Sequence, residues 1–135
     1  MSDYLSDVRK RFGKDSFASE TTGIEIVDVG DNRAKCMLQL SNKHRNAMGA
    51  VMGGVIYTLA DFAFAVAANH DILDTVSTSG DIKFINSTKG NVLYADAQCL
   101  KSGRTSSFYE VIIYDDYDRL ISKVSIVGVN INIQK

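Results

Sequence analysis

The 135-residue chain contains no proline, so no turn in it gains rigidity from a pyrrolidine ring. Cysteine is almost as scarce: Cys36 and Cys99 stand far apart, with no CxxC or Cys-His spacing. That speaks against a disulfide or a thiolate zinc site and for buried free thiols in a reducing compartment. The two histidines, His44 and His70, stand alone without ligand spacing, so no metal is expected. Neither sign of charge is in excess: 15 Lys and Arg face 16 Asp and Glu, for a net charge of -1. A nucleic-acid surface has no support in that balance, and the clusters Arg9-Lys10-Arg11 and Lys43-His44-Arg45 read as solvated faces. The opening MSDYLSDVRKRFGK has no apolar signal core and carries acids early, so the expected location is cytoplasmic.

What is present is ordinary for a water-soluble protein, 45% hydrophobic and 23% charged residues, enough for one domain over residues 1–135. Its longest apolar run, from Asn46 to Asn69, begins in a glycine-rich turn and is broken by a single charged residue, Asp61. As a helix, residues 51–68 would be about 27 Å long, close to a bilayer core. Asp61 near the middle, Gly53 and Gly54 at the start and the strand patterns that follow favour a buried helix over a membrane span.

Other elements follow from spacing. Tyr4, Leu5, Val8 and Phe12 recur at helical intervals, with Ser2 as N-cap and Gly13 as stop. Residues 14–22 read as a polar loop anchored by Phe17. Residues 24–29 (IEIVDV) and 33–40 (RAKCMLQL) form a hairpin across Gly30-Asp31-Asn32. Ala34, Cys36, Leu38 and Leu40 share one face, giving a sheet with one buried side. Residues 75–85, 92–101, 105–114 and 120–133 read as four further strands. The class is α+β: strands with antiparallel neighbours form one sheet that has to bury one long, very apolar central helix. A helix apolar nearly all round needs a second surface, and a second copy of the chain is the expected source.

The chemistry concentrates on that helix. Gly53 and Gly54 at its start let a ligand approach backbone N–H groups that have no intrahelical partner and that favour an oxygen gaining negative charge. Close packing on the sheet explains the glycine pair equally well. Asp61 adds a general base or nucleophile; its alternative role is to cap or pair a buried polar group, with Thr58 one turn earlier as a partner. Gly53 and Asp61 are eight residues apart, which is roughly 12 Å along a helix. Antiparallel helices across a dimer axis would bring one chain's glycines to the other's acid, giving composite sites.

The string Asn46-Ala47-Met48-Gly49-Ala50-Val51-Met52-Gly53-Gly54, continued by Tyr57-Thr58-Leu59-Ala60-Asp61, resembles the signature of the PaaI-like hotdog-fold acyl-CoA thioesterases. The resemblance runs from Gly23 to the last strand. It implies a hotdog fold in a homodimer that often pairs into a homotetramer, acting on acyl-CoA with coenzyme A as part of the substrate and no separate cofactor. It implies that Gly53 offers its N–H to the thioester oxygen, with Gly54 beside it. The partner subunit's Asp61 is then the base or nucleophile, and Asn46 stands near the reacting carbonyl. Ser77 falls where relatives place a hydroxyl facing the site, and Lys101, Arg104 and Thr105 lie in the turn that contacts coenzyme A, or else form a plain exposed turn.

Two departures stand out. Met52 occupies the position of the family's His and cannot donate a hydrogen bond. Asn86-Ser87-Thr88 replaces a turn that usually carries proline, which predicts a looser substrate mouth. The leading expectation is thioester hydrolysis. A hotdog protein that binds acyl-CoA without hydrolysing it is the alternative, and a related dehydratase ranks lower because such sites rely on a His.

Overall fold

Gly30, Asp31 and Asn32 close the first hairpin, with Asn32 in the left-handed region at φ 56°. The hairpin joins β1 (Glu25–Gly30) to β2 (Arg33–Gln39), paired antiparallel. The computed structural model describes residues 2–69 and 74–131. His70, the expected strand end beyond residue 131 and the side chain of Ser2, the expected N-cap, lie outside what is described.

Before the hairpin, α1 (Ser2–Phe12) presents buried Val8 and Phe12 to the core. Residues 14–22 are more ordered than a polar loop. Phe17–Thr22 form a π-helical turn, closed where the N–H groups of Gly23 and Ile24 both donate to the Ala18 carbonyl. Gly23 takes φ 92°, a conformation open to glycine and costly to other residues. Phe17 does not anchor the segment: it is 65% exposed, and the buried residues here are Ala18 and Thr22.

After a short 3₁₀ turn, Asn42–His44, comes α2 (Gly53–Asn69), then β3 (Thr75–Phe84), β4 (Val92–Ser102), β5 (Ser106–Asp115) and β6 (Leu120–Asn130). The six strands form one antiparallel sheet in the order β1-β2-β4-β5-β6-β3. It wraps α2, which contacts every strand. In β2, Ala34, Cys36 and Leu38 face the helix, and so does Leu40 just beyond it, while Lys35 and Met37 are only half-buried. Both cysteines are free, but only Cys36 is buried as expected, its thiol pushed up to about 12 by that burial, while Cys99 is half-buried. Phe62 meets Phe12 edge-on at 6.1 Å and Phe64 meets Tyr109 at 5.2 Å, so both of these helix phenylalanines belong to the core.

The sheet covers only part of α2. Ile56, Leu59, Ala60, Ala63, Val66 and Ala67 are buried, whereas Gly54 is exposed and Thr58, Asp61, Ala65 and Ala68 are half-buried. Those five recur at intervals of three and four and form a single stripe of small residues, interrupted by one acid. β3 forms one edge of the sheet, and most of its residues are exposed. No helix among the described residues is long and apolar enough to cross a membrane.

Candidate active site

The turn before α2 is built by side chains that bond backbone. Asn46 Oδ1 accepts the N–H groups of Met48 and Ala50 at 2.9 and 3.0 Å, and the Asn46 N–H donates to the Ala50 carbonyl at 2.7 Å. Gly49 sits at φ 85°, and Arg45 bridges to Val51. The Asn46 carbonyl-type oxygen is thus occupied in shaping the turn, which leaves its amide N–H₂ to reach outward.

His44 fixes this turn to the rest of the chain. The Ser41 N–H donates to its Nδ1 at 3.0 Å, so the ring carries its proton on Nε2 and gives it to the Thr22 carbonyl at 2.7 Å. The His44 carbonyl in turn accepts the Met52 N–H at 2.9 Å. A lone histidine with no ligand spacing is therefore a buried brace between the π-helical turn and the start of α2. The sequence offered no signal for it, because Thr22 lies 22 residues away.

Met52 stands at the N-cap position, its carbonyl accepting from Val55 and Ile56. Gly53 is the first helical residue, and among the described residues the N–H groups of Gly53 and Gly54 have no partner. Gly53 borders a cleft of about 580 Å³. Met48, Ile56, Phe84, Ile85 and Ile121 supply its apolar lining and Asn86, Ser87 and Thr88 a polar uncharged wall. A Cβ at Gly53 would come within 2.9 Å of the Phe84 ring, so glycine here permits a close approach; at Gly54 a Cβ would meet nothing within 4 Å. Met52, 47% exposed, does not line this cleft, and Met48, 91% exposed, stands at its rim.

The proline-free wall is firmly tied rather than loose. The Asn86 N–H and side-chain amide donate to the carbonyls of Ile121 and Leu120 at 3.2 and 2.8 Å, and Thr88 Oγ1 donates to Asp115 Oδ2 at 2.6 Å. Burial alone would raise the Asp115 carboxyl. The bonds from Thr88 and from the N–H groups of Arg119 and Tyr117, with the Arg119 charge, outweigh it and hold the group below the usual carboxylate range.

Asp61 opens onto a different cleft, of about 410 Å³, lined by Asp15, Ser16, Phe17, Thr58 and Ala65 among others. Among the described residues no hydrogen bond or salt bridge reaches its carboxylate. Thr58 is not its partner, since the Thr58 hydroxyl donates to the Gly54 carbonyl at 2.7 Å. Burial, and then the charge of Asp15, push the Asp61 carboxyl above its ordinary value.

Strand register separates the remaining candidates from Gly53. Leu93 pairs with Asp115 and Phe84 with Ser122 at the Gly53 end of the sheet; Ser102 pairs with Ser107 and Thr75 with Asn130 at the other. Lys101, Arg104 and Thr105 are exposed at that far end, roughly 30 Å along β4 from the Gly53 end at about 3.3 Å per residue. Ser77 lies on the edge strand β3, exposed, next to a register shift between Ser77 and Ser79. One chain brings together Gly53, Asn46 and the apolar cleft, and holds Asp61, Ser77 and the basic turn apart from them.

The thioesterase superfamily matches residues 48–122, from the turn before α2 to the start of β6. The chain is 28% identical over 105 residues to the 1,4-dihydroxy-2-naphthoyl-CoA hydrolase of Listeria monocytogenes, covering 76% of this chain and 85% of that one. It is 26% identical over 105 residues to the acyl-coenzyme A thioesterase PaaI of Escherichia coli, covering 77% and 75%. The solved E. coli PaaI protein superposes with a TM-score of 0.86 at 20% identity over 97% of this chain and 96% of its own. A hypothetical thioesterase protein of Streptococcus pneumoniae, solved with coenzyme A, superposes at 0.81 and 22% identity over 88% and 95%. With its helix wrapped by a six-stranded antiparallel sheet and this match over more than half its length, the chain belongs to the thioesterase superfamily, as a PaaI-like member with the hotdog fold.

Proposed function

We propose that the protein hydrolyses an acyl-CoA thioester to the free acid and coenzyme A, in the cytoplasm, at sites shared between two copies of the chain. One observation carries this reading. Among the described residues the N–H groups of Gly53 and Gly54 and the carboxylate of Asp61 have no partner; Gly53 and Asp61 lie on one helix but line different clefts, and Asp61 lies in the stripe of α2 that the chain's own sheet leaves open. Two antiparallel helices packed on that stripe bring each carboxylate toward the other chain's helix start. The same arrangement carries the far-end turn with Lys101, Arg104 and Thr105 toward the partner's Gly53 cleft, where those two cations and one hydroxyl suit the phosphates of coenzyme A. Dimers then pair into a tetramer.

The thioester carbonyl oxygen accepts from the Gly53 N–H, and the partner subunit's Asp61 takes a proton from water as the water oxygen bonds to the carbonyl carbon. The oxyanion collapses, the C–S bond breaks, and the coenzyme A thiolate leaves and is reprotonated. Direct attack by the carboxylate, giving an anhydride that water then opens, uses the same geometry. Asn46, through its free amide N–H₂, orients the carbonyl or the water, and Ser77 of the edge strand adds a hydroxyl.

Thiol release from a panel of short, medium, long and aromatic acyl-CoAs tests the reading. Turnover of at least one substrate, abolished in Asp61→Ala, is expected; no turnover, or an Asp61→Ala variant as active as the parent, rejects it. Met52 favours a second reading, acyl-CoA binding without hydrolysis, because its thioether cannot replace the hydrogen bonds of an imidazole. Binding of coenzyme A esters with no thiol release would establish that one.

A further inference from the structure

Asp61 shares its cleft with a second carboxylate. Asp15, from the link between α1 and the π-helical turn, lines the same space of about 410 Å³, and among the described residues no cationic side chain lines it with them. Backbone fixes Asp15 there: its N–H donates to the Phe12 carbonyl at 3.0 Å, and its carbonyl accepts the Ser19 N–H at 2.9 Å and the Ser19 hydroxyl at 3.0 Å. Its place is thus set by the end of α1 and the first turn after it, and among the described residues no side-chain ion pair is involved.

We propose that Asp15 is a positioning residue of the reaction, a second carboxylate that acts on Asp61 across their shared cleft and prepares Asp61 to accept a proton from water. The proposal rests on the reading of Asp61 as the acid of the site. A like charge nearby disfavours the ionised form of a carboxyl and makes the carboxylate a stronger base. Among the described residues the titratable groups facing Asp61 are Asp15 on the link and Tyr57 one turn earlier on α2; the turn residues Ser16, Phe17 and Ala18 contribute none. Burial and then Asp15 raise the Asp61 carboxyl, and burial and then Asp61 raise the Tyr57 phenol. The two signs agree with a cleft that carries excess negative charge. Nothing in the spacing of the sequence pairs these acids, which are 46 residues apart.

The test follows the Asp61 carboxyl by carbon NMR in the assembled protein, beside the acid limb of the kcat/KM profile. Asp15→Asn is expected to move both midpoints to lower pH by about half a unit, while Asp15→Glu keeps them near the parent values. Raising salt from about 0.1 M to about 1 M should move the parent the same way and Asp15→Asn much less, because an exposed carboxylate is screened. The salt series on the parent needs no substitution. Equal midpoints in parent and Asp15→Asn, or an equal salt response in both, would overturn the proposal. The NMR titration reads the coupling without turnover, so a shifted Asp61 in a protein that releases no thiol rejects the hydrolysis and leaves the coupling standing.

Discussion

Gly53 and Asp61 sit on the same helix and open onto different clefts, one walled by Phe84 and Ile85, the other by Asp15 and Phe17. Eight residues of helix separate them, roughly 12 Å, too far for one chain to place both on one carbonyl. The first prediction concerns the glycine. Gly53→Pro removes the N–H at the first helical position, where proline is tolerated, and the new ring meets the exposed Phe84, which has room to move. The variant should keep its helical circular dichroism and lose about 10²–10³ in kcat, the usual cost of one oxyanion donor.

Asp61→Asn should lower turnover by about 10²–10⁴ and at the same time raise stability. Because the folded carboxyl is raised, the unfolded chain ionises first as pH rises above about 3.9, and the fold loses stability until the pH passes the folded value. Asparagine removes that penalty. Thermal melts should favour the variant at pH 7 and converge with the parent near about pH 3.

Asp115 behaves in the opposite sense. Its lowered carboxyl contributes stability that is complete above about pH 3.9 and is lost as pH falls through the folded value. The group is 2% exposed, so Asp115→Asn, which leaves donors from Thr88, Tyr117 and Arg119 poorly matched, should cost about 1–3 kcal/mol at pH 7. The loss should shrink in acid. Denaturant melts across pH check both, and KM for the acyl-CoA should rise because Thr88 is part of the cleft wall.

The stripe on α2 makes a separate claim. Ala65→Arg places a large cation in the middle of a half-buried row of small residues. It should give a folded monomer by sedimentation with little activity, whereas Ala65→Ser should remain assembled and active.

Much of this was legible in the chain. Alternation of Ala34, Cys36, Leu38 and Leu40 set the buried face of β2, and the run after Gly53 set α2 nearly to the residue. The π-helical turn escaped because FASETT has no apolar period; Gly23 just after it, in the left-handed region, was the one available stop signal. The size of Phe17 alone suggests an anchor, yet it stands exposed in the cleft of Asp61. The rigidity of the proline-free wall rests on Asp115 and the carbonyls of Leu120 and Ile121, 27 to 35 residues downstream, which no local pattern reveals. The brace at His44 was hidden for the same reason, since its partner Thr22 lies 22 residues upstream.

Subunit complementation tests the composite site most directly. Gly53→Pro and Asp61→Asn proteins, each inactive alone, are unfolded together and refolded as a mixture, with mixed dimers verified by native mass spectrometry. Each mixed dimer then carries one site with both defects and one intact site, so activity should return to roughly a quarter of the parent value when half the dimers are mixed. Verified mixed dimers with no recovered activity would contradict a site shared between Gly53 of one chain and Asp61 of the other.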